Sequence, residues 1–220
     1  EKYFNVHLKS VGLDAVHEKV KEQGEAENIR RDCDGKEAIV KSVKTERKTV
    51  NPPHLYDLTT LQREANRLYG FTAQQTLDYT QSLYEMKLVT YPRTDSQYIT
   101  DDMDGTARNI AESVAGKLPH FSGIVIAPET KRVINNKKVS DHHAIIPTEQ
   151  FVQLDHMTID ERRIYDLVVR RFLAVLYPAC EYEQTAVEAT AAGEHFYASG
   201  NHMVKMGWKA VYEGMNSSDE

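Results

Sequence analysis

Tyr91 ends a short apolar run, Leu88-Val89-Thr90-Tyr91, and Arg93 follows it two residues later in Pro92-Arg93-Thr94-Asp95-Ser96. Pro92 biases the residue before it towards extended backbone. It also has no N–H to give to a sheet ladder, so a strand is expected to stop there. In extended backbone, residues two apart point the same way, which puts a phenol and a guanidinium on one face. That pair suits phosphodiester chemistry: the phenol attacks phosphorus while the guanidinium grips the non-bridging oxygens through two hydrogen bonds. A phenol has a pKa of about 10, so it is a poor nucleophile until its proton is removed or its anion stabilised. An edge-strand tyrosine beside a solvated arginine fits the same spacing, because Tyr-x-Arg is a common triplet.

A second stretch with chemical potential is Ser140-Asp141-His142-His143-Ala144-Ile145-Ile146-Pro147-Thr148. Adjacent histidines diverge in an extended chain, and no further ligand lies at a suitable spacing, so the pair does not read as a metal site. Asp95 either orients Arg93 or caps the turn that follows, since aspartate favours turns for local reasons.

The elements around these residues follow from periodicity. Residues 3–9 alternate, with Phe4, Val6 and Leu8 on one side, as in a strand with one buried face. Leu13, Val16 and Val20 fall at helical spacing and end near Gly24. Residues 36–49 read as a long strand; its Lys41, Lys44, Arg47 and Lys48 either face DNA or form a solvated charged face. Asn51-Pro52-Pro53 marks a domain boundary. Thr59 with Gln62, and Thr72 with Gln75, have the spacing of capping boxes. Leu61, Ala65, Leu68 and Tyr69 line the first helix and Gly70 stops it. Thr76, Tyr79, Thr80, Leu83 and Tyr84 share one face of the second. Helix, short turn, helix and tyrosine strand is a winged-helix pattern. A helix over 100–115 turns Met103, Ala107, Ile110, Ala111 and Val114 inward, and residues 117–148 are mostly loop. Thr158 and Glu161 cap a long helix that Pro178 ends. Residues 181–212 return to strands, with a hairpin turn at Gly193-Glu194. The simplest assembly is α+β: the outer strands pair as one domain, and the helical part is inserted between them.

Composition sets bounds. The chain has 220 residues, 40% hydrophobic and 27% charged, which fits one or two globular domains. No apolar run is long enough for a membrane span, and no signal peptide is visible. Two cysteines, Cys33 and Cys180, form no metal or redox pattern, in keeping with a reducing compartment. The formal net charge is -6, so any nucleic-acid contact must come from local basic groups. The first residue is Glu1 and the last segment is acidic, which points to a piece of a longer protein.

Residues 54–103, through AQQTLDYTQSLYE and the YPRTDS form of the tyrosine motif, resemble the active-tyrosine region of type IA DNA topoisomerases, most closely the topoisomerase III branch. His142-His143-Ala144-Ile145-Ile146-Pro147 resembles that family's second motif, and the two motifs occur in the family's order. The resemblance implies a winged-helix-like, mainly helical domain inserted into a strand-rich hinge or arch domain: 1–50 and 181–220 for the hinge, 51–180 for the tyrosine domain. It implies Tyr91 as nucleophile, with Arg93 and His142 on the scissile phosphate, and DNA contacts from Thr90, Thr94, Asp95, Ser96 and Thr148. His143 receives no role. The reaction implied cuts and reseals one DNA strand by transesterification, through a 5′-phosphotyrosine and without ATP. The general acid and Mg²⁺ would belong to a toprim domain, which nothing here matches, so the chain holds half an active site and no cofactor of its own. Partners implied are single-stranded DNA and the remaining domains of the polypeptide, in a monomer. The location implied is the cytoplasm with the nucleoid in a bacterium, or the nucleus in a eukaryote. Two other classes fit less well. A non-catalytic winged-helix DNA-binding module would need a basic recognition helix, and 72–86 carries only acidic charges. A tyrosine recombinase surrounds its tyrosine with arginines and histidines in another order.

Overall fold

The computed structural model describes residues 2–117, 129–150 and 156–213. The chain divides into two compact units, Glu1–Val50 with Glu181–Lys205, and Asn51–Cys180 with Met206–Glu220. It is a mixed helix and antiparallel-sheet protein.

The first unit is a five-stranded sheet of order β1-β2-β5-β4-β3 with one helix. The strands are β1 (His7–Ser10), β2 (Leu13–His17), β3 (Ala38–Val50), β4 (Cys180–Ala191) and β5 (Glu194–Lys205), and the helix is α1 (Gln23–Cys33). Leu13 to Val20 is therefore not helical. β2 pairs with β1, His7 opposite Val16, and with β5, Val16 opposite Tyr197 and His17 opposite Phe196. The helical spacing of three apolar residues is overridden by strand partners, one of them 180 residues away, and β-branched Val16 suits the pleat. The helix begins later, and its Ala26 and Ile29 bury against Ala191 and Phe196 of the β4–β5 hairpin. That hairpin turns on Ala192 (φ 49°) and Gly193 (φ 89°), the left-handed pair that a two-residue turn demands.

The second unit holds α2 (Leu58–Tyr69), α3 (Ala73–Glu85), α4 (Asp104–Lys117) and α5 (Ile159–Val175). α2 starts two residues earlier than the Thr59–Gln62 spacing suggests. Asp57 and Thr60 form its capping box, with Thr60 N–H donating to Asp57 at 2.7 Å, while Gln62 reaches on to the Ala73 carbonyl. Aspartate at the N-cap also suits the positive end of the helix. The boxes at Thr72–Gln75 and Thr158–Glu161 form as their spacing requires, and Gly70 closes α2 at φ 70°. α5 is the central element: Ile164, Leu167, Val168, Phe172 and Val175 are all buried in one core with Leu61, Ala65, Leu83, Ile110 and Ala111. Two side-chain bonds lock α3 to the start of α5, Tyr79 Oη to Asp160 at 3.1 Å and Ser82 Oγ to Glu161 at 2.6 Å. The Ser82 bond, chiefly, holds the Glu161 carboxyl below its ordinary value. A depressed carboxylate stabilises the fold above the unfolded pKa and loses that contribution as pH falls through the folded one, so this clamp weakens on strong acidification.

The tyrosine segment forms no strand. Val89–Pro147, Tyr56–Ile145 and Ile99–Ile134 are isolated bridges. Pro147 is itself a partner in the first of them and Pro92 lies just beyond Val89, and neither carries an N–H with which to extend a ladder.

Met206–Tyr212 also departs from the expectation that 181–220 stays with the strands. It forms a 3₁₀ segment (Gly207–Tyr212) in the second unit, where Val211 is buried in the helical core. Arg170, buried on α5, donates to the Val211 carbonyl at 2.8 Å and pairs with Asp166 at 2.6 Å. Gly207 (φ 53°) lies so close to Pro178 and Ala179 that a Cβ there would sit 2.6 Å from the Pro178 carbonyl oxygen. Gly207→Ala is therefore expected to cost about 2–3 kcal/mol in urea unfolding. Gly105→Ala, at a helical site with nothing within 4 Å, is expected to add about 0.5–1 kcal/mol.

Candidate active site

Burial alternates through the tyrosine loop. Pro92, Thr94 and Ser96 are buried, whereas Arg93 and Asp95 are exposed and Tyr91 is half-exposed. Tyr91 and Arg93 thus both lie towards solvent, although the chain bends at Pro92 and Arg93 rather than running extended through them. The inward side holds the second motif. Thr94 Oγ1 donates to the His142 carbonyl at 3.0 Å and accepts from Ser96 N–H at 3.1 Å. Thr90 Oγ1 donates to the Ala144 carbonyl and accepts from Ile146 N–H, both at 3.0 Å. Ser96 Oγ donates to the Lys138 carbonyl at 2.8 Å, and Thr148 Oγ1 to the Lys87 carbonyl at 2.5 Å. Backbone bonds complete the seam: Thr90 N–H to Ile146 at 3.0 Å, Thr148 N–H to Leu88 at 3.1 Å and Ala144 N–H to Tyr98 at 2.9 Å.

This seam changes the reading of four residues. A hydroxyl has one proton to donate, and a phosphate only accepts. Thr90, Thr94, Ser96 and Thr148 each give that proton to a backbone carbonyl, so their side chains brace the loop in this structure. Asp95 neither pairs with Arg93 nor caps a turn among the described residues.

The outward side is built differently. The His142 ring lies over the Tyr91 ring, centroids 4.2 Å apart and planes tilted by 38°. Tyr84, at the end of α3, packs T-shaped against the same phenol ring, centroids 5.5 Å apart and planes at 79°. Tyr84 had the spacing of a core residue, yet it is 39% exposed. Spacing places a residue on a face but does not say that the face ends at the loop, so nothing in the pattern singled it out. Arg93 has no hydrogen-bond or ion-pair partner among the described residues. His143 is half-buried, with Nδ1 at 2.8 Å from the Ala144 carbonyl, which removes it from the site. The arrangement offers a phenol whose ring is packed by two others, an exposed imidazole and a guanidinium with no partner among the described residues. Those groups suit a tetrahedral anion attacked by the phenol.

Among the described residues, no group of three or more histidine, cysteine, aspartate or glutamate side chains could hold a metal ion. Nor is any helix among them long and apolar enough to cross a membrane.

Thr94→Val is expected to cost about 1–3 kcal/mol, because it leaves the buried Ser96 amide and the part-buried His142 carbonyl without their partner. Thr94→Ser should cost less than half of that in the same thermal-unfolding assay. Equal losses would mean that packing, not the hydroxyl, matters there.

A family model described as DNA topoisomerase matches residues 1–220. DNA topoisomerase 3 of Bacillus subtilis (strain 168) is 44% identical over 198 residues, covering 87% of this chain and 27% of that protein. The Bacillus licheniformis protein of the same name is 44% identical over 191 residues, 84% of this chain and 26% of its own length. Among solved structures, full-length topoisomerase I from Thermotoga maritima superposes with a TM-score of 0.73 at 26% identity, covering 96% of this chain and 36% of that one. The chain thus spans about a quarter of the curated relatives it matches. With the tyrosine and histidine motifs joined in one seam and the whole sequence matched, the chain belongs to the type IA DNA topoisomerase family.

Proposed function

We propose that this chain is the tyrosine-bearing part of an enzyme that cuts one DNA strand and reseals it. The observation that carries the reading is the half-exposed Tyr91 ring packed by the exposed His142 ring, two residues from an Arg93 without a partner among the described residues, on a loop braced by inward hydroxyl bonds. The Tyr91 oxygen attacks a phosphodiester and loses its proton. The new bond joins that oxygen to phosphorus, and the bond from phosphorus to the 3′ oxygen breaks. The 3′ oxygen takes up a proton as it leaves. Arg93 holds two non-bridging oxygens as their charge grows, and His142 donates to the same phosphate. One phosphoester replaces another, so the reverse attack by the 3′ hydroxyl reseals the strand without ATP.

We assign the general acid, and the Mg²⁺ that the family implies, to polypeptide outside this chain. We read residues 51–180 as winged-helix-like, on the strength of two capped helices joined at Gly70–Phe71 and followed by bridged extended segments. The 1–50 and 181–205 strands are read as arch. Single-stranded DNA is the substrate at this site, in a monomer. The bacterial relatives favour work on the nucleoid in the cytoplasm.

The test is covalent trapping in the full-length protein that carries this chain. An oligonucleotide labelled at its 3′ end should leave its label on the protein after denaturation, whereas a 5′ label should not. Transfer of the 5′ label would mean a 3′-phosphotyrosine and recombinase-like chemistry. Absence of any adduct would leave a non-catalytic DNA-binding module. Tyr91→Phe should abolish the adduct while single-strand binding persists; surviving cleavage would remove Tyr91 as nucleophile. Arg93→Lys should lose well over tenfold, because an ammonium cannot make the forked contact. His142→Ala should lose about tenfold to a thousandfold, as for one transition-state donor. A matching loss in His143→Ala alone would move the role to the neighbour. The 220-residue chain by itself should not relax supercoiled plasmid.

A further inference from the structure

α3 ends in a paired closure: Leu88 N–H bonds the Leu83 carbonyl at 2.9 Å, and Lys87 N–H bonds the Tyr84 carbonyl at 2.8 Å. This ending requires a left-handed residue at position 87, where glycine is the physical default. The same chain uses glycine at the end of α2, Gly70 at φ 70°, but at the end of α3 it places lysine at φ 61°. A Cβ in this region is strained. Nothing in the fold compensates: Lys87 is exposed, and its ammonium has no partner among the described residues. Yet its backbone is pinned to the reacting groups from two sides. Its carbonyl accepts the Thr148 hydroxyl of the second motif, and one turn earlier Tyr84 packs on the Tyr91 ring. A cation near a helix C-terminus also favours the dipole, and that explanation makes the opposite prediction for stability.

We infer that Lys87 is kept for its ammonium, which grips a backbone phosphate next to the one Tyr91 attacks. The inference rests on the DNA reading of the site and adds a contact to it. A phosphate only accepts, and the lysine head presents three donors on a flexible stem. In a chain of net charge -6 the approach of DNA to this loop depends on such local cations.

The experiment is binding of a fluorescent oligothymidylate of about a dozen nucleotides to the 220-residue chain over a range of NaCl, alongside thermal unfolding. Lys87→Gly should weaken binding about three- to tenfold at low salt. It should also reduce the log–log salt slope by about 0.7, the loss of one phosphate contact on a single strand. Its melting temperature should hold or rise. Lys87→Arg should keep both affinity and slope. Lys36→Ala, which removes one charge from the strand-rich unit, should leave the slope intact. Unchanged binding by Lys87→Gly would overturn the inference, and a lower melting temperature as well would assign the lysine to the helix end. An equal fall in slope for Lys36→Ala would reduce the effect to overall charge and overturn it too. No binding by the unsubstituted chain would overturn the DNA reading of the whole site, whereas retained binding without a covalent adduct in the full-length protein would overturn only its catalytic role.

Discussion

Everything at the site depends on four hydroxyls that face inward. Thr90, Thr94, Ser96 and Thr148 donate to backbone carbonyls across a gap of some fifty residues in the chain. Each bond contributes only about 1 kcal/mol net, but leaving a buried carbonyl unpaired costs more than making the bond gains. The seam is therefore specific rather than merely adhesive. It fixes which residue of each strand-like segment points out, and so puts Tyr91, Arg93 and His142 on one side. A sheet ladder would have done this with backbone alone. Prolines 92 and 147 prevent the ladder, and side-chain hydroxyls take its place.

The seam in turn needs a rigid backing. Leu88, Val89, Ile145 and Ile146 sit in the same buried core as α5, so the loop is anchored by apolar burial on one side and left open on the other. α3 is tied to α5 through Tyr79 and Ser82, and it carries Tyr84 to the phenol. A side chain packed by two rings has fewer rotamers left, and preorganisation of this kind lowers the cost of reaching a reactive geometry. Arg170 and the Met206–Tyr212 segment close the far side of α5.

Charge is distributed to the same end. Most of the arginines have acidic neighbours: Arg47 with Glu181, Arg67 with Glu64, Arg132 with Glu129, Arg163 with Asp160. Exposed pairs of this kind add little stability, but they do neutralise their cations. Arg93, two residues from Tyr91, is left without such a partner among the described residues. An acidic protein can thus present a cation where a phosphate is to be held, without a basic surface that would bind nucleic acid indiscriminately.

The amino-acid sequence by itself determined the family and most of the helices of the second unit. Tyr91, Arg93 and His142 stood out as candidates through the two family motifs that hold them, since Tyr-x-Arg alone is a common triplet. The ends of α3 and α5 were legible because capping is local, decided by residues three apart. Tertiary structure decided the rest. Leu13–His17 became a strand because β5, far along the chain, offered it hydrogen bonds that no local helix could match. The tyrosine loop lost its strand because its partner also carried a proline. Thr94 and Ser96 brace the loop because a hydroxyl's one proton goes to whichever carbonyl folding brings nearest. Tyr84 joined the site because its helix stops beside the phenol. In each case the deciding partner lies outside the window in which spacing carries information, and only the folded chain brings the two together.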